Sequence, residues 1–313
     1  MPELKSMRIV FMGTPEFAVA SLDKLVKAGL NIVGVITAPD KPGGRGMQLQ
    51  QSAVKKYAVD NNLNILQPEK LKNPEFIKEL KSLKADVQIV VAFRMLPEIV
   101  WNMPPMGTIN VHGSLLPDYR GAAPINWAII NGEKKTGVTT FKLQQEIDTG
   151  NILFQKEITI SENENAGELH DVMKEVGADL LLQTLLKLAN NELVEVKQNL
   201  SAKAKHAPKI FTSTCEINWS KKAFEIHNLI RGLSPYPAAF TTLDNKKLKI
   251  FGSLKSDKNS SMPGCIETDN KSFLFISCGD KQLEITEVQL EGKRKMAVTE
   301  FLKGYHFSKL SVG

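Results

Sequence analysis

Apolar residues in the first half of the chain fall into short continuous runs, separated by stretches in which they recur every three to four positions. Arg8–Met12, Ile32–Thr37 and Asp86–Phe93 are largely apolar without alternation, the mark of strands buried on both faces. Between them the helical period predicts Phe17–Ala28, ending at Gly29, then Ser52–Asn61, then Glu75–Lys84, opened by Asn73-Pro74. Asn64–Leu66 and Thr108–Val111 read as further strands and Ala123–Ile130 as a helix. Gly137–Leu143 and Asn151–Ile160 are strand-like, and the long helical stretch Ala166–Leu193 closes this part. Strands alternating with helices predict a parallel α/β sheet covered on both faces.

The pattern then changes. Ser201–Lys209 is poor in bulky apolar residues and rich in lysine, and it reads as a linker. Beyond it, Lys221–Leu233 is helical. The short runs Leu248–Phe251, Gly264–Glu267, Phe273–Ser277 and Leu283–Gln289 follow, with turn residues between them, as in a small β-barrel. A chain of 313 residues is long enough for a large domain and a smaller one.

Composition adds three limits. The N-terminus shows no signal-peptide pattern, and the apolar runs are too short to cross a bilayer, so a cytoplasmic protein without membrane contact is expected. Cys215, Cys265 and Cys278 are odd in number and lack metal-ligand spacing, which predicts neither a disulfide framework nor a zinc site. The net charge of +6 is unevenly spread: residues 206–313 hold 16 Lys/Arg against 11 Asp/Glu, the preceding residues 24 against 23. A solvated lysine-rich surface explains this as well as a surface for a polyanion does.

Candidate chemistry concentrates at the end of one strand. In open α/β sheets ligands bind beyond the C-terminal ends of the strands. Asn110-Val111-His112-Gly113-Ser114-Leu115-Leu116-Pro117 lies at such an end, and the two-residue period puts Asn110 and His112 on one side. An amide donor beside an imidazole suits carbonyl chemistry, the first holding an oxyanion and the second moving a proton. A buried hydrogen-bonded pair without function would look the same. Asp148, in the turn Asp148-Thr149-Gly150, joins them if its strands lie alongside. Gly13-Thr14-Pro15 lacks the spacing of a dinucleotide fingerprint, so an oxidoreductase is not indicated.

The Asn-x-His-x-Ser-Leu-Leu-Pro run, with Arg120-Gly121-Ala122-Ala123-Pro124 and Asp148-Thr149-Gly150, resembles the 10-formyltetrahydrofolate-dependent formyltransferase family. Further matches are Gly13-Thr14-Pro15-Glu16-Phe17, Pro39-Asp40-Lys41-Pro42 with Gly44-Arg45-Gly46, and, near the end, Ile217-Asn218-Trp219-Ser220, Ile230-Arg231 and Pro235-Tyr236-Pro237. Within the family the likeness is to members whose acceptor is a charged initiator tRNA.

The resemblance implies a Rossmann-like catalytic domain over residues 1–200, a linker over 201–209 and an OB-like, tRNA-binding β-barrel over 210–313. It implies Asn110, His112 and Asp148 as the catalytic group, Ser114, Leu115, Leu116 and Pro117 as folate contacts, and 10-formyltetrahydrofolate as co-substrate, without a metal. It also implies that the glycine-rich loop carrying Lys41 and Arg45 enters the tRNA acceptor stem, while Lys203, Lys205 and Lys209 offer further cations for tRNA phosphates. A monomer is the working expectation. One segment departs from the family: Val90–Pro97 lacks the usual tyrosine-glycine pair, and Arg94 stands where small residues are the rule. A formyltransferase acting on a nucleotide sugar and a non-catalytic RNA-binding protein are the alternatives.

Overall fold

The computed structural model describes residues 3–43, 48–199 and 204–313; Arg45 and Lys203 lie outside the described residues. Seven strands form one sheet: β1 (Ile9–Gly13), β2 (Ile32–Ile36), β3 (Ile65–Leu66), β4 (Val87–Val91), β5 (Thr108–His112), β6 (Lys135–Lys142) and β7 (Ile152–Thr159). Their order is β7-β6-β5-β4-β1-β2-β3. Strands β1 to β5 pair in parallel, whereas β6 runs antiparallel to β5. The sequence pattern concealed that reversal. Thr136–Phe141 is buried throughout, and a continuous apolar run reports burial on two faces, not direction.

All residues of β1 and β4 are buried, as a sheet covered on both sides requires. On one face Val10, Met12, Ile36 and Val90 pack with Phe76 and Leu80 of α3 (Pro74–Ser82). The helix α1 (Glu16–Lys27) buries its own apolar stripe through Phe17, Leu22 and Leu25. Each such side chain contributes about 1.5–3 kcal/mol by leaving water. Asn73 starts α3 by accepting the Glu75 N–H at 2.8 Å. The long helix α6 (Ala166–Ala189) stops short of the expected Leu193 because Asn191 turns left-handed at φ 58°. At the β1–α1 turn, a Cβ on Gly13 would stand 2.6 Å from that of Ala18. Strand and helix therefore approach here only through glycine.

Compact units do not follow the chain contiguously. The first comprises Met1–Gly121, Gly137–Ile158 and His170–His206; the second comprises Ala122–Thr136, Thr159–Leu169 and Ala207–Gly313. In the second unit an antiparallel sheet runs through β8 (Ala239–Leu243), β9 (Lys246–Asn259), β10 (Ile266–Thr268), β11 (Leu274–Ser277) and β12 (Lys281–Leu290). Ile226, Ile230 and Leu233 of α7 (Ala223–Leu233) join Ile217, Trp219, Leu248, Ile250 and Ile285 in its core. The matched residues Ile217, Trp219 and Ile230 are thus packing residues. Arg231 is buried as well, donating to Asn228 Oδ1 and to the Glu164 carbonyl, each at 2.9 Å. Asn126 and Trp127 of α5 (Pro124–Ile130) donate to the carbonyls of Gly232 and Pro208, which ties this internal segment into the second unit. No described helix is long and apolar enough to cross a membrane.

Candidate active site

Strand β5 delivers two of the three expected residues. In its register Asn110 stands between Val90 of β4 and Phe141 of β6, and His112 stands opposite Thr139. His112 is buried, with its ring edge against Phe141. Its Nε2 lies 2.9 Å from the Tyr119 carbonyl oxygen. A carbonyl only accepts, so this nitrogen carries the hydrogen, and in the neutral ring Nδ1 is left with a lone pair. Asn110 is partly exposed and makes no side-chain hydrogen bond among the described residues, so its amide is free to donate.

Asp148 is brought to the same place by the turn between β6 and β7. One carboxylate oxygen stands 3.8 Å from His112 Nδ1, and the same oxygen accepts the Gly121 N–H at 3.0 Å. The 3.8 Å separation is too long for a hydrogen bond. The Tyr119 carbonyl, not Asp148, orients the ring. The remaining gap places a lone pair opposite a carboxylate, an arrangement that a proton or an N–H between them would relieve.

The Asp148 turn is held tightly. Asp148 itself is left-handed at φ 55°. A Cβ on Gly150 would lie 1.6 Å from the Lys142 carbonyl oxygen, so only glycine fits. Gln198, buried, donates from Nε2 to the carbonyls of Asp148 at 2.9 Å and Gly150 at 2.7 Å. Sequence reasoning missed Gln198 and the main-chain groups of Tyr119 and Gly121. Backbone atoms carry no residue signature, and Gln198 sits 50 residues from the aspartate.

The run Ser114–Pro117 divides into two kinds of residue. Ser114 is buried and its hydroxyl donates to the Asp118 carbonyl at 2.6 Å, closing the turn. Leu116 is buried, with its N–H on Thr139 Oγ1 and its carbonyl accepting from Gln155. Leu115 and Pro117 keep partial exposure. An open cavity of about 940 Å³ lies just past β4, lined by Leu71, Met95, Leu96 and Ile99 with Lys70 and Arg94. Arg94 does not fill it as a loose side chain: its guanidinium is anchored on the carbonyls of Pro68 and Glu69, and burial lowers its pKa. The cavity is thus largely apolar, with Lys70, Lys72, Arg94 and Glu98 as its charged residues. Among the described residues no group of three or more His, Cys, Asp or Glu is placed to hold a metal ion.

Three of the remaining expected cations fall among the described residues. Lys41 is exposed in the strand Lys41–Gly43. Lys205 is exposed over the Tyr119 ring, its ammonium 5.8 Å from the centroid. Lys209, in the second unit, lies 5.9 Å from the centroid of the exposed Phe211.

Comparison with known proteins bears on both units. A family described as formyl transferase matches residues 7–185, and its C-terminal domain matches residues 209–306. A protein of Bacteroides fragilis named methionyl-tRNA formyltransferase is 49% identical over 314 residues, covering 97% of this chain and 97% of its own. One of the same name from Azobacteroides pseudotrichonymphae is 52% identical over 309 residues, covering 95% of each. Among solved structures, a sugar 3N-formyl transferase crystallised with dTDP and 5-N-formyl-THF superposes with a TM-score of 0.68 at 25% identity, over 92% of this chain and 99% of that one.

Proposed function

The chain belongs to the formyl transferase family, and from that premise we propose that it moves the formyl group of 10-formyltetrahydrofolate onto the free amino group of methionyl-initiator tRNA. The products are N-formylmethionyl-tRNA, used to begin translation, and tetrahydrofolate. The observation that carries the chemistry is the free Nδ1 of His112 facing Asp148 across 3.8 Å, with the unpartnered Asn110 amide on the same strand. The choice of acceptor rests on relatives named for methionyl-tRNA at 49% and 52% identity, against 25% for the sugar enzyme.

In this mechanism the neutral methionyl amine attacks the formyl carbon, forming a new C–N bond and placing negative charge on the formyl oxygen. Asn110 donates to that oxygen; one donor of this kind is worth roughly 3–4 kcal/mol at the transition state. The amine loses a proton to Nδ1 of His112, and the carboxylate of Asp148 steadies the imidazolium that results. Collapse breaks the C–N10 bond of the folate, and the proton on Nδ1 passes to N10. Proton and electron balance closes within the three residues and the two substrates.

The largely apolar cavity, with Lys70, Lys72, Arg94 and Glu98 as its charged residues, suits a flat aromatic ligand with an anionic tail, and we assign it, together with Leu115 and Pro117, to the folate. Ser114 and Leu116 serve this side by shaping the turn. On the tRNA side we assign the exposed cations Lys41, Lys205 and Lys209, with Arg45 and Lys203, to the phosphates. In this division residues 1–200, apart from the segments 122–136 and 159–169 that join the second unit, perform the chemistry, 201–209 connect, and 210–313 bind tRNA, in a cytoplasmic enzyme acting as a monomer. The assay that tests the proposal supplies 10-formyltetrahydrofolate with either methionyl-initiator tRNA or a dTDP-linked amino sugar. Formylation of the tRNA alone is expected; preferential formylation of the sugar would replace this reading.

A further inference from the structure

The imidazole of His112 is held by a turn that is itself gripped from a distant stretch of chain. Tyr119 presents its carbonyl to Nε2 at 2.9 Å and donates its own N–H to the Lys205 carbonyl at 2.6 Å. One residue earlier, the Asp118 carboxylate accepts the Lys205 N–H at 2.9 Å. The Asp118 carbonyl accepts from Ser114 at 2.6 Å. Asp118 and Tyr119 thus form a two-point clamp with the main chain of Lys205, 87 residues onward. The Asp118 contact is charge-assisted, which places it among the stronger hydrogen bonds.

The geometry points to Asp118 as a positioning residue for the transfer: by fastening Lys205 beside the turn, it keeps the Tyr119 carbonyl on His112 Nε2 and so fixes the ring in the form whose Nδ1 faces Asp148. This rests on the reading of His112 as the base. The ring has two neutral forms, and only one leaves Nδ1 able to take the amine's proton. Withdrawal of the Tyr119 carbonyl would free Nε2 to lose its hydrogen. The hydrogen would then pass to Nδ1, where Asp148 would hold it. That form binds substrates equally well but has no lone pair at the reacting side. Asp118 therefore acts on turnover, not on binding.

The test compares Asp118→Ala and Asp118→Asn with the wild type and His112→Ala. Asparagine keeps an oxygen acceptor for the Lys205 N–H; alanine does not. We expect Asp118→Ala to lower kcat by about 10- to 100-fold, with the KM of folate and of charged tRNA within about twofold, and Asp118→Asn to recover most of the loss. Ring ¹⁵N spectra of histidine-labelled full-length protein supply a readout independent of activity, with the His112 signals assigned by their loss in His112→Ala. Wild type and Asp118→Asn should show His112 protonated on Nε2, and Asp118→Ala a mixture of both forms. An unchanged Nε2-protonated ring in Asp118→Ala overturns the proposal, whatever the rate. So does a rate loss that Asp118→Asn fails to recover. Near-normal turnover in His112→Ala would instead defeat the reading of His112 as base, leaving the tautomer result to stand by itself.

Discussion

The strand end at His112 and the antiparallel unit after residue 207 use polar groups in opposite ways. At the strand end a few are buried, and each is held by a main-chain group: His112 by the Tyr119 carbonyl, and Asp148 by the Gly121 N–H. Apart from the buried Arg231, the antiparallel unit carries charges that lie outside and pair with one another, as in Lys255–Glu162, Lys258–Glu267 and Lys295–Glu287. Exposed pairs of this kind contribute about 0–1 kcal/mol each and are weakened by salt. Fixed geometry in one place and adjustable charge in the other match a division between making a bond and holding a polyanion. Replacement of one group should therefore be severe in the first region and shallow in the second.

The largest expected effect is at the strand end. His112→Ala or Asp148→Asn should each lower kcat by on the order of a thousandfold, with folate KM within a few-fold, because the lost interactions form with the transition state. Stopped-flow or quench measurements with saturating substrates check this, and a loss below tenfold would remove the residue from the mechanism. Gly150→Ala should come next. The added methyl collides with the Lys142 carbonyl, so the turn must shift and carry Asp148 away. A drop in kcat of about 10- to 100-fold is expected from a displacement of that size. Wild-type turnover in Gly150→Ala would show that the turn has slack that the contact denies.

That ordering bears on how much could be read from sequence. Asn110 and His112 were legible because a strand's two-residue period assigns both to one side. Asp148 was legible from its turn only on the condition that its strands lie alongside, and the resemblance supplied its role, since an Asp-Thr-Gly turn has many uses. The groups of Tyr119, Gly121 and Gln198 that hold His112 and the Asp148 turn were not legible: two are main-chain atoms, and the third comes from a remote segment. The parallel sheet followed from the continuous apolar strands, but the direction of β6 did not. Nor did the interleaving of the units, which depends on contacts such as Asn126 to Gly232 that no period encodes. This interleaving alters the choice of experiment. Deleting residues 206–313 would strip partners from Asn126, Trp127 and Glu164, so charge substitutions are the cleaner probe.

Accordingly, the third prediction replaces single lysines. Lys209→Ala should raise the Kd for charged tRNA only a few-fold at moderate salt and reduce the salt slope of log K by about 1, as expected for one phosphate contact. Folate binding should not change. An unchanged slope would place Lys209 away from the phosphates.

The smallest effect concerns stability in the antiparallel unit. His227 is buried with Nδ1 on Ser253 Oγ at 3.0 Å and Nε2 without a partner among the described residues. Burial, aided by the nearby Arg231 charge, lowers its pKa below the ordinary 6.5. The unfolded chain therefore binds this proton more readily than the folded one, and stability falls as pH drops below about 6.5, levelling once the folded form also protonates. Thermal unfolding of His227→Gln between pH 7.5 and 5.5 should show a smaller acid-dependent loss than wild type. Parallel curves would assign the loss to other groups.

The most direct measurement is a single-turnover formyl transfer from 10-formyltetrahydrofolate, comparing methionyl-initiator tRNA with a dTDP-linked amino sugar, in wild type and His112→Ala. Formylated tRNA from the wild type, little or no formylated sugar, and a rate on the order of a thousandfold lower in His112→Ala is the predicted outcome. Equal or preferred formylation of the sugar, or a His112→Ala rate near that of the wild type, would contradict it.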